Sequence, residues 1–83
     1  MTEATVTGRR IINGLEWVKL ECSTGETYRS TVFKNITGVL IGDNSSSATH
    51  DFNAVYSGQT ITITILSGTT TDQPLTLMIK GDI

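Results

Sequence analysis

The chain has 83 residues, one cysteine and a net charge of −2, which predicts one small domain without an internal disulfide. Its hydrophobic content of 37% is too high for a disordered chain. No apolar stretch approaches the roughly 18 residues of a membrane-spanning helix, and the net negative charge gives no electrostatic footprint for nucleic acid. We therefore expect neither a membrane nor a nucleic acid as a partner.

The composition favours strands over helices. Thr, Ile and Val supply 29 of the 83 residues, whereas Ala supplies only 3. β-Branched side chains are stiff and fit a pleated surface well. A domain of this size buries only about 60–65% of its unfolded surface. We therefore expect association with further copies or with a larger surface to contribute to its stability.

The first 14 residues are interpreted as an extended N-terminal arm, and residues 15–83 as the folded domain. The arm is polar and rich in Thr, so we expect it to be mobile in the free protein. Deleting residues 2–12 should then leave the domain folded. Within the arm, the basic pair Arg9 and Arg10 is either a solvated pair or a contact to an acidic partner. Ile11 and Ile12 would then fill an apolar groove on that partner.

The first predicted strand is Leu15–Cys22. Its alternation places Val18, Leu20 and Cys22 on one face, where the thiol is expected to be buried and inert. Trp17 lies on the opposite face and is the largest apolar side chain of the chain. It belongs either to a second core layer or to an interface, where aromatic side chains often act as anchors.

The remaining strands follow from turn residues and period-two alternation. They are predicted at 27–33, 39–42, 52–56, 60–66 and 74–79. Together these runs predict an all-β, antiparallel and jelly-roll-like sandwich of six to eight strands, with no helix longer than one turn. The run at 61–66 has no charge and no proline, so it should be a central strand or be covered by a partner.

The sequence offers little catalytic chemistry. His50 and Asp51 are adjacent, so a strand would point them to opposite faces, and the serines at 45–47 lie in a predicted loop. Asp43 and Asn44 could join Asp51 in holding a hard cation such as Ca²⁺. With one His and one Cys in the whole chain, however, the sequence predicts no metal site, no cofactor and no enzymatic activity.

Five segments between residues 15 and 82 carry a resemblance to a known group of proteins. They are Thr24-Gly25-Glu26-Thr27-Tyr28, Phe33–Ile36, Val39-Leu40-Ile41, Ser57–Ile63 and Leu75–Asp82. In this pattern of strands and turns, the chain resembles the small β-sandwich capsid decoration proteins, or cement proteins, of tailed bacteriophages.

The resemblance implies a structural protein of the virion surface, made in the host cytoplasm, that stabilises the capsid by binding the major capsid protein. It also implies a small homo-oligomer, with a trimer favoured, and no catalytic residues. The candidate contacts to the partner are Arg9, Arg10, Ile11, Ile12 and Trp17. The alternative is a carbohydrate- or receptor-binding module on a virion or cell surface, with Trp17 and Tyr56 stacking on sugar rings.

Overall fold

A computed structural model describes residues 2–44, 51–68 and 71–83, so Ser45–Ser47 and His50 lie outside the described residues. The strands are β1 (Thr5–Ile12), β2 (Leu15–Cys22), β3 (Thr27–Arg29), β4 (Asn35–Asp43), β5 (Asp51–Ser57), β6 (Thr60–Ser67) and β7 (Gln73–Asp82). One sheet has the order β1-β2-β7-β4 and the other the order β3-β6-β5. All neighbouring strands are antiparallel, which confirms the predicted β-sandwich.

The core lies between the two sheets and is built by strict alternation along β2, β6 and β7. Eight inward apolar side chains from these strands are at most 1% exposed, and Ile65 of β6 is 5% exposed; the eight are Val18, Leu20, Cys22, Ile61, Ile63, Leu75, Leu77 and Ile79. The predicted inward faces are thus confirmed. Strand β6 lies between β3 and β5, so the aggregation-prone run at 61–66 is a central strand, as expected. Helices of membrane-spanning length and hydropathy are absent from the described ranges.

The N-terminal segment differs from the predicted mobile arm. Residues 5–12 form β1, which pairs with β2 along its length through a turn at Asn13 and Gly14 with φ of 52° and 77°. Two successive positive φ angles suit the tight hairpin turn that an Asn-Gly pair favours. Residues 2–4 lie beside β3, where the Ala4 N–H donates to the Thr27 carbonyl at 2.8 Å. The segment therefore contacts both sheets.

Strand β3 is shorter than predicted and β4 is longer. The predicted strand at 27–33 ends at Arg29 because the Ser30 hydroxyl accepts hydrogen bonds from the N–H groups of Val32 and Phe33, at 3.2 and 3.0 Å. This local turn takes donors that a continuing strand would need. Strand β4 begins at Asn35, and a bulge between Ile36 and Gly38 lets residues expected to form a loop join the sheet.

Candidate docking face

The four-stranded sheet turns one side towards the core and the other, here called the outer face, away from it. Directly opposed residues share a face, and the register aligns Arg10 of β1 with Trp17 of β2, Trp17 with Met78 of β7, and Met78 with Leu40 of β4. We call Trp17, Met78 and Leu40 the apolar ridge. It crosses three adjacent strands at right angles to them, and Leu40 is 66% exposed.

Further apolar side chains widen this surface. Ile12 is 39% exposed and pairs with Leu15 on the row next to the apolar ridge. Two shallow grooves lie on the outer face: one of about 590 Å³ includes Ile12 and Trp17, and one of about 370 Å³ includes Leu15, Leu40 and Met78. An apolar surface that is contiguous across a sheet is the kind of feature that marks a protein interaction site.

The indole of Trp17 is half-buried, and its Nε1 atom is covered without a hydrogen-bond acceptor among the described residues. A buried indole N–H usually has a partner. The alternation along β2 points the Trp17 side chain away from the core between the two sheets, where Val18 and Leu20 are buried. Trp17 lies on the outer face, flanked by Arg10 and Lys19, which agrees with the interface alternative for this residue.

The basic pair is divided between the two sides of β1. Arg10 lies on the outer face opposite Trp17, and Ile12 follows it on the same side. Arg9 and Ile11 point to the other side, where the Nε atom of Arg9 donates to the Glu16 carboxylate at 3.0 Å. Arg9 thus already has an acidic partner within its own chain, so only Arg10 and Ile12 of the four arm residues share a surface with Trp17.

The three-stranded sheet presents a different surface to solvent. Its outward positions on β6 are Thr60, Thr62 and Thr64, and Val55 of β5 lies opposite Thr62. Tyr56 lies on β5 of this sheet, and its hydroxyl donates to the Thr37 carbonyl at 3.1 Å. Tyr56 and Trp17 are therefore on different sheets and do not form a common stacking platform.

A buried carboxylate cluster that was not predicted from the sequence is formed by Glu16 with Arg9, Tyr28 and Ser30. The Glu16 side chain is fully buried between the sheets. One carboxylate oxygen accepts from the Ser30 hydroxyl at 2.7 Å, and the other accepts from the Tyr28 hydroxyl and from Arg9. Buried charges are tolerated when they are paired and hydrogen-bonded. The cluster joins β1, β2, β3 and the following turn.

The hydrogen bonds of this cluster decide the ionisation of Glu16. Burial raises the pKa of the Glu16 carboxyl, but the donors from Ser30, Tyr28 and Arg9 outweigh it, so the pKa lies below its ordinary value of 4.5. Burial and the bond to Glu16 raise the pKa of Tyr28. At neutral pH the carboxylate is therefore charged and the phenol is neutral. A neutral donor beside a fixed carboxylate is a structural bond rather than an acid–base pair.

We expect Glu16→Gln to lower the free energy of unfolding at pH 7 by about 2 kcal/mol, because charge-assisted hydrogen bonds contribute more than neutral ones. A carboxyl group whose pKa is lower in the folded protein than in the unfolded chain stabilises the fold at pH values above its pKa in the unfolded chain. This contribution is lost as the pH falls through the pKa of the group in the folded protein. The stability difference between the two proteins should therefore shrink below about pH 4.5. Urea unfolding curves from pH 7 to pH 3 measure it.

Glu21→Gln is the matched control, because Glu21 lies on the same strand but is exposed. It should change the stability by no more than about 0.5 kcal/mol. Equal stability of the Glu16→Gln protein and the original at pH 7, or a constant difference down to pH 3, would contradict the assignment of a stabilising carboxylate.

Cys22 is fully buried on the inner side of β2, as the alternation predicted. Burial, together with the Glu26 carboxylate, raises the pKa of its thiol to about 11. The thiol is therefore protonated at neutral pH, and its Sγ atom lies 3.2 Å from the Ser23 carbonyl. A protonated and buried thiol is a poor nucleophile.

Across residues 2–44, 51–68 and 71–83, no three side chains of His, Cys, Asp or Glu come close enough together to hold a metal ion. Comparison with models of protein families, with curated proteins and with solved structures finds no match to this chain. Any functional argument therefore depends on the surfaces of the molecule itself.

Proposed function

We propose that this protein is a structural protein that decorates and stabilises the capsid of a tailed bacteriophage, and that it docks on the major capsid protein through the outer face. The observation that carries the docking proposal is the apolar ridge, which crosses three adjacent strands and ends at the 66% exposed Leu40. The capsid as the partner follows from the sequence resemblance described above.

The energetics of a small domain support this proposal. The chain has 83 residues and one cysteine, so no internal disulfide stabilises it. A partner that binds only the folded state adds its binding free energy to the folding equilibrium. A capsid lattice presents many equivalent sites, so a modest contact from each subunit is multiplied when several subunits are joined. We include a small homo-oligomer, with a trimer favoured, in the proposal for this reason.

A carbohydrate- or receptor-binding module is the second candidate from the sequence. It depends on Trp17 and Tyr56 acting together, but the two side chains lie on different sheets. The Tyr56 hydroxyl also bonds to the Thr37 carbonyl, which occupies the polar end of that ring. This geometry supports the docking proposal better than a two-aromatic sugar platform.

The test is co-sedimentation of the purified protein with phage capsids assembled without it. We expect saturable binding with a fixed number of copies per capsid and an increased resistance of the capsid to heat. A glycan array run with the same preparation examines the alternative. Binding to glycans without binding to capsids would contradict the proposed function and favour the carbohydrate-binding module.

A further inference from the structure

Three basic side chains surround the apolar ridge on the outer face. They are Arg10, Lys19 and Lys80, all exposed, and they make up three of the six cationic residues in a chain with a net charge of −2. Among the acidic residues with a strand register, Glu21 and Asp82 share this side of the sheet, two residues beyond Lys19 and Lys80 respectively, so both lie farther from the apolar ridge than the lysines do. The protein as a whole is acidic, but the side chains next to the apolar ridge on three of its sides are basic.

The register defines where each cation lies relative to the apolar ridge. Arg10 is opposite Trp17 and extends the row by one strand. Lys19 lies two residues from Trp17 along β2. Lys80 lies two residues from Met78 along β7, on the opposite side of the apolar ridge from Lys19. With about 4.8 Å between strands and about 6.7 Å for two residues along a strand, the cations occupy three sides of the ridge. No cation lies at its Leu40 end among the described residues.

Glycines make the apolar ridge stand out from the sheet. Gly8 and Gly42 lie on the row of Lys19, and Gly38 lies opposite Lys80. A Cβ atom added to Gly38 would be only 2.8 Å from Cε of Lys80, so the aliphatic part of Lys80 lies over this glycine. Each row beside the apolar ridge therefore contains a lysine and at least one glycine, and in the row of Lys80 the side chains of Ile12 and Leu15 continue the apolar surface.

A second copy of the chain is a poor occupant of this face. Two copies related by a twofold axis would bring the cations around one ridge towards those around the other, and like charges brought together in an interface disfavour association. A phosphate backbone is a poor occupant as well, because it offers nothing to cover an apolar row of three side chains. Carboxylates next to apolar side chains match both parts of the surface.

We propose that the surface bound by the outer face is an apolar groove of a protein, with carboxylates on both walls and at one end. The inference rests on the proposed function only in taking the outer face as the docking surface. The apolar ridge fills the groove, while Lys19 and Lys80 pair with carboxylates on opposite walls. Arg10 pairs with a carboxylate at the end next to β1, which fixes the orientation of the bound protein.

The test uses Trp17, which is the single tryptophan of the chain, so its fluorescence reports on the outer face directly. Three short synthetic peptides serve as probes: one alternates Leu and Glu, one alternates Leu and Lys, and one alternates Ser and Glu. We expect a saturable blue shift of the emission with the Leu/Glu peptide, and binding at least about tenfold weaker for the other two. Raising the salt concentration should weaken the Leu/Glu interaction.

The double substitution Lys19→Glu and Lys80→Glu should invert the preference, so that the Leu/Lys peptide binds more tightly than the Leu/Glu peptide. Lys34→Glu is the control, because Lys34 is exposed but lies in the turn before β4, and it should keep the original preference. Circular dichroism of each variant verifies that the sheets are intact.

Several results would overturn this inference. One is an equal shift of the Trp17 emission with the Leu/Glu and Leu/Lys peptides, and another is no shift with any peptide. A larger shift with a single-stranded oligonucleotide would also overturn it. So would a shift when the protein alone is concentrated, because that result indicates self-association. Capsid binding is a separate measurement. If the protein fails to bind capsids, the proposed function is wrong, while the peptide series still decides the chemistry of the partner of the outer face.

Discussion

Deleting residues 2–12 is expected to unfold the protein, in contrast to the expectation from the sequence alone. The deletion removes β1 from the edge of β2 and removes the backbone contacts of residues 2–4 with β3. It also removes Ala4 from the core, and it leaves the buried Glu16 without Arg9. Because Arg9 is 39% exposed, its loss costs less than the about 3–5 kcal/mol of breaking a fully buried pair. The lost strand pairing and core contact add to this cost, in a domain whose stability is typically about 5–15 kcal/mol.

Ile11→Ser is the matched control, because it keeps the backbone of β1 and changes a side chain that is 52% exposed. Urea unfolding followed by circular dichroism should give a cooperative transition for this variant and none for the deletion. A deleted protein that unfolds cooperatively with unchanged stability would contradict the pairing of β1 and would restore the interpretation of residues 1–14 as a separate arm.

Trp17→Ala is expected to weaken binding to capsids by about 30-fold or more, which corresponds to the 2 kcal/mol or more of an interface hot spot. Its indole is the largest side chain of the apolar ridge and lies near the centre of the outer face, between Arg10 and Met78. The effect on folding should be small, because the indole points away from the core. Affinity is measured by titrating capsids with labelled protein.

Two further variants separate the apolar area from other effects. Trp17→Phe keeps most of the aromatic area, so it should lose less affinity than Trp17→Ala. Val55→Ala truncates an apolar residue on the other sheet that is 61% exposed, and it should leave the affinity unchanged. Equal losses for Val55→Ala and Trp17→Ala would mean that binding does not depend on the outer face.

Most of the fold was predictable because alternation along a half-buried strand is visible in the sequence. Strand β2 has the predicted limits of Leu15–Cys22, and the isoleucines of β6 lie in the core as expected. The alternation is clear in these strands because one side faces the core and the other faces solvent. Six of the seven strands among the described residues correspond to these predicted runs.

Strand β1 was not predicted because it is exposed on both sides over most of its length. It is held by ladder hydrogen bonds to β2 and by a turn, so hydrophobic alternation carries no signal of it. The signal that could have identified it is Asn13-Gly14 between two stretches of strand-forming residues, which is a strong hairpin sequence. The shortness of β3 depends on the hydroxyl of Ser30, and composition does not reveal such a bond.

The candidate site was predictable only in part. Trp17 was correctly placed on the face opposite the core, and Arg10 and Ile12 lie beside it. The apolar ridge could not be assembled in advance, because Met78 and Leu40 meet Trp17 only through the pairing of β7 with β2 and β4. Glu16 was missed since a carboxylate at an inward position has no pattern of its own, and its donors meet it only through the pairing of β1 with β2 and the packing of the two sheets.

Hydroxyl-radical footprinting of the capsid-bound protein tests the docking face most directly. Trp17 and Met78 lie on the outer face, whereas Tyr56 belongs to the other sheet and serves as an internal reference. We predict that binding to capsids strongly reduces the oxidation of Trp17 and Met78 and leaves that of Tyr56 unchanged. Protection of Tyr56, with unchanged oxidation of Trp17 and Met78 in the bound protein, would contradict docking through the outer face.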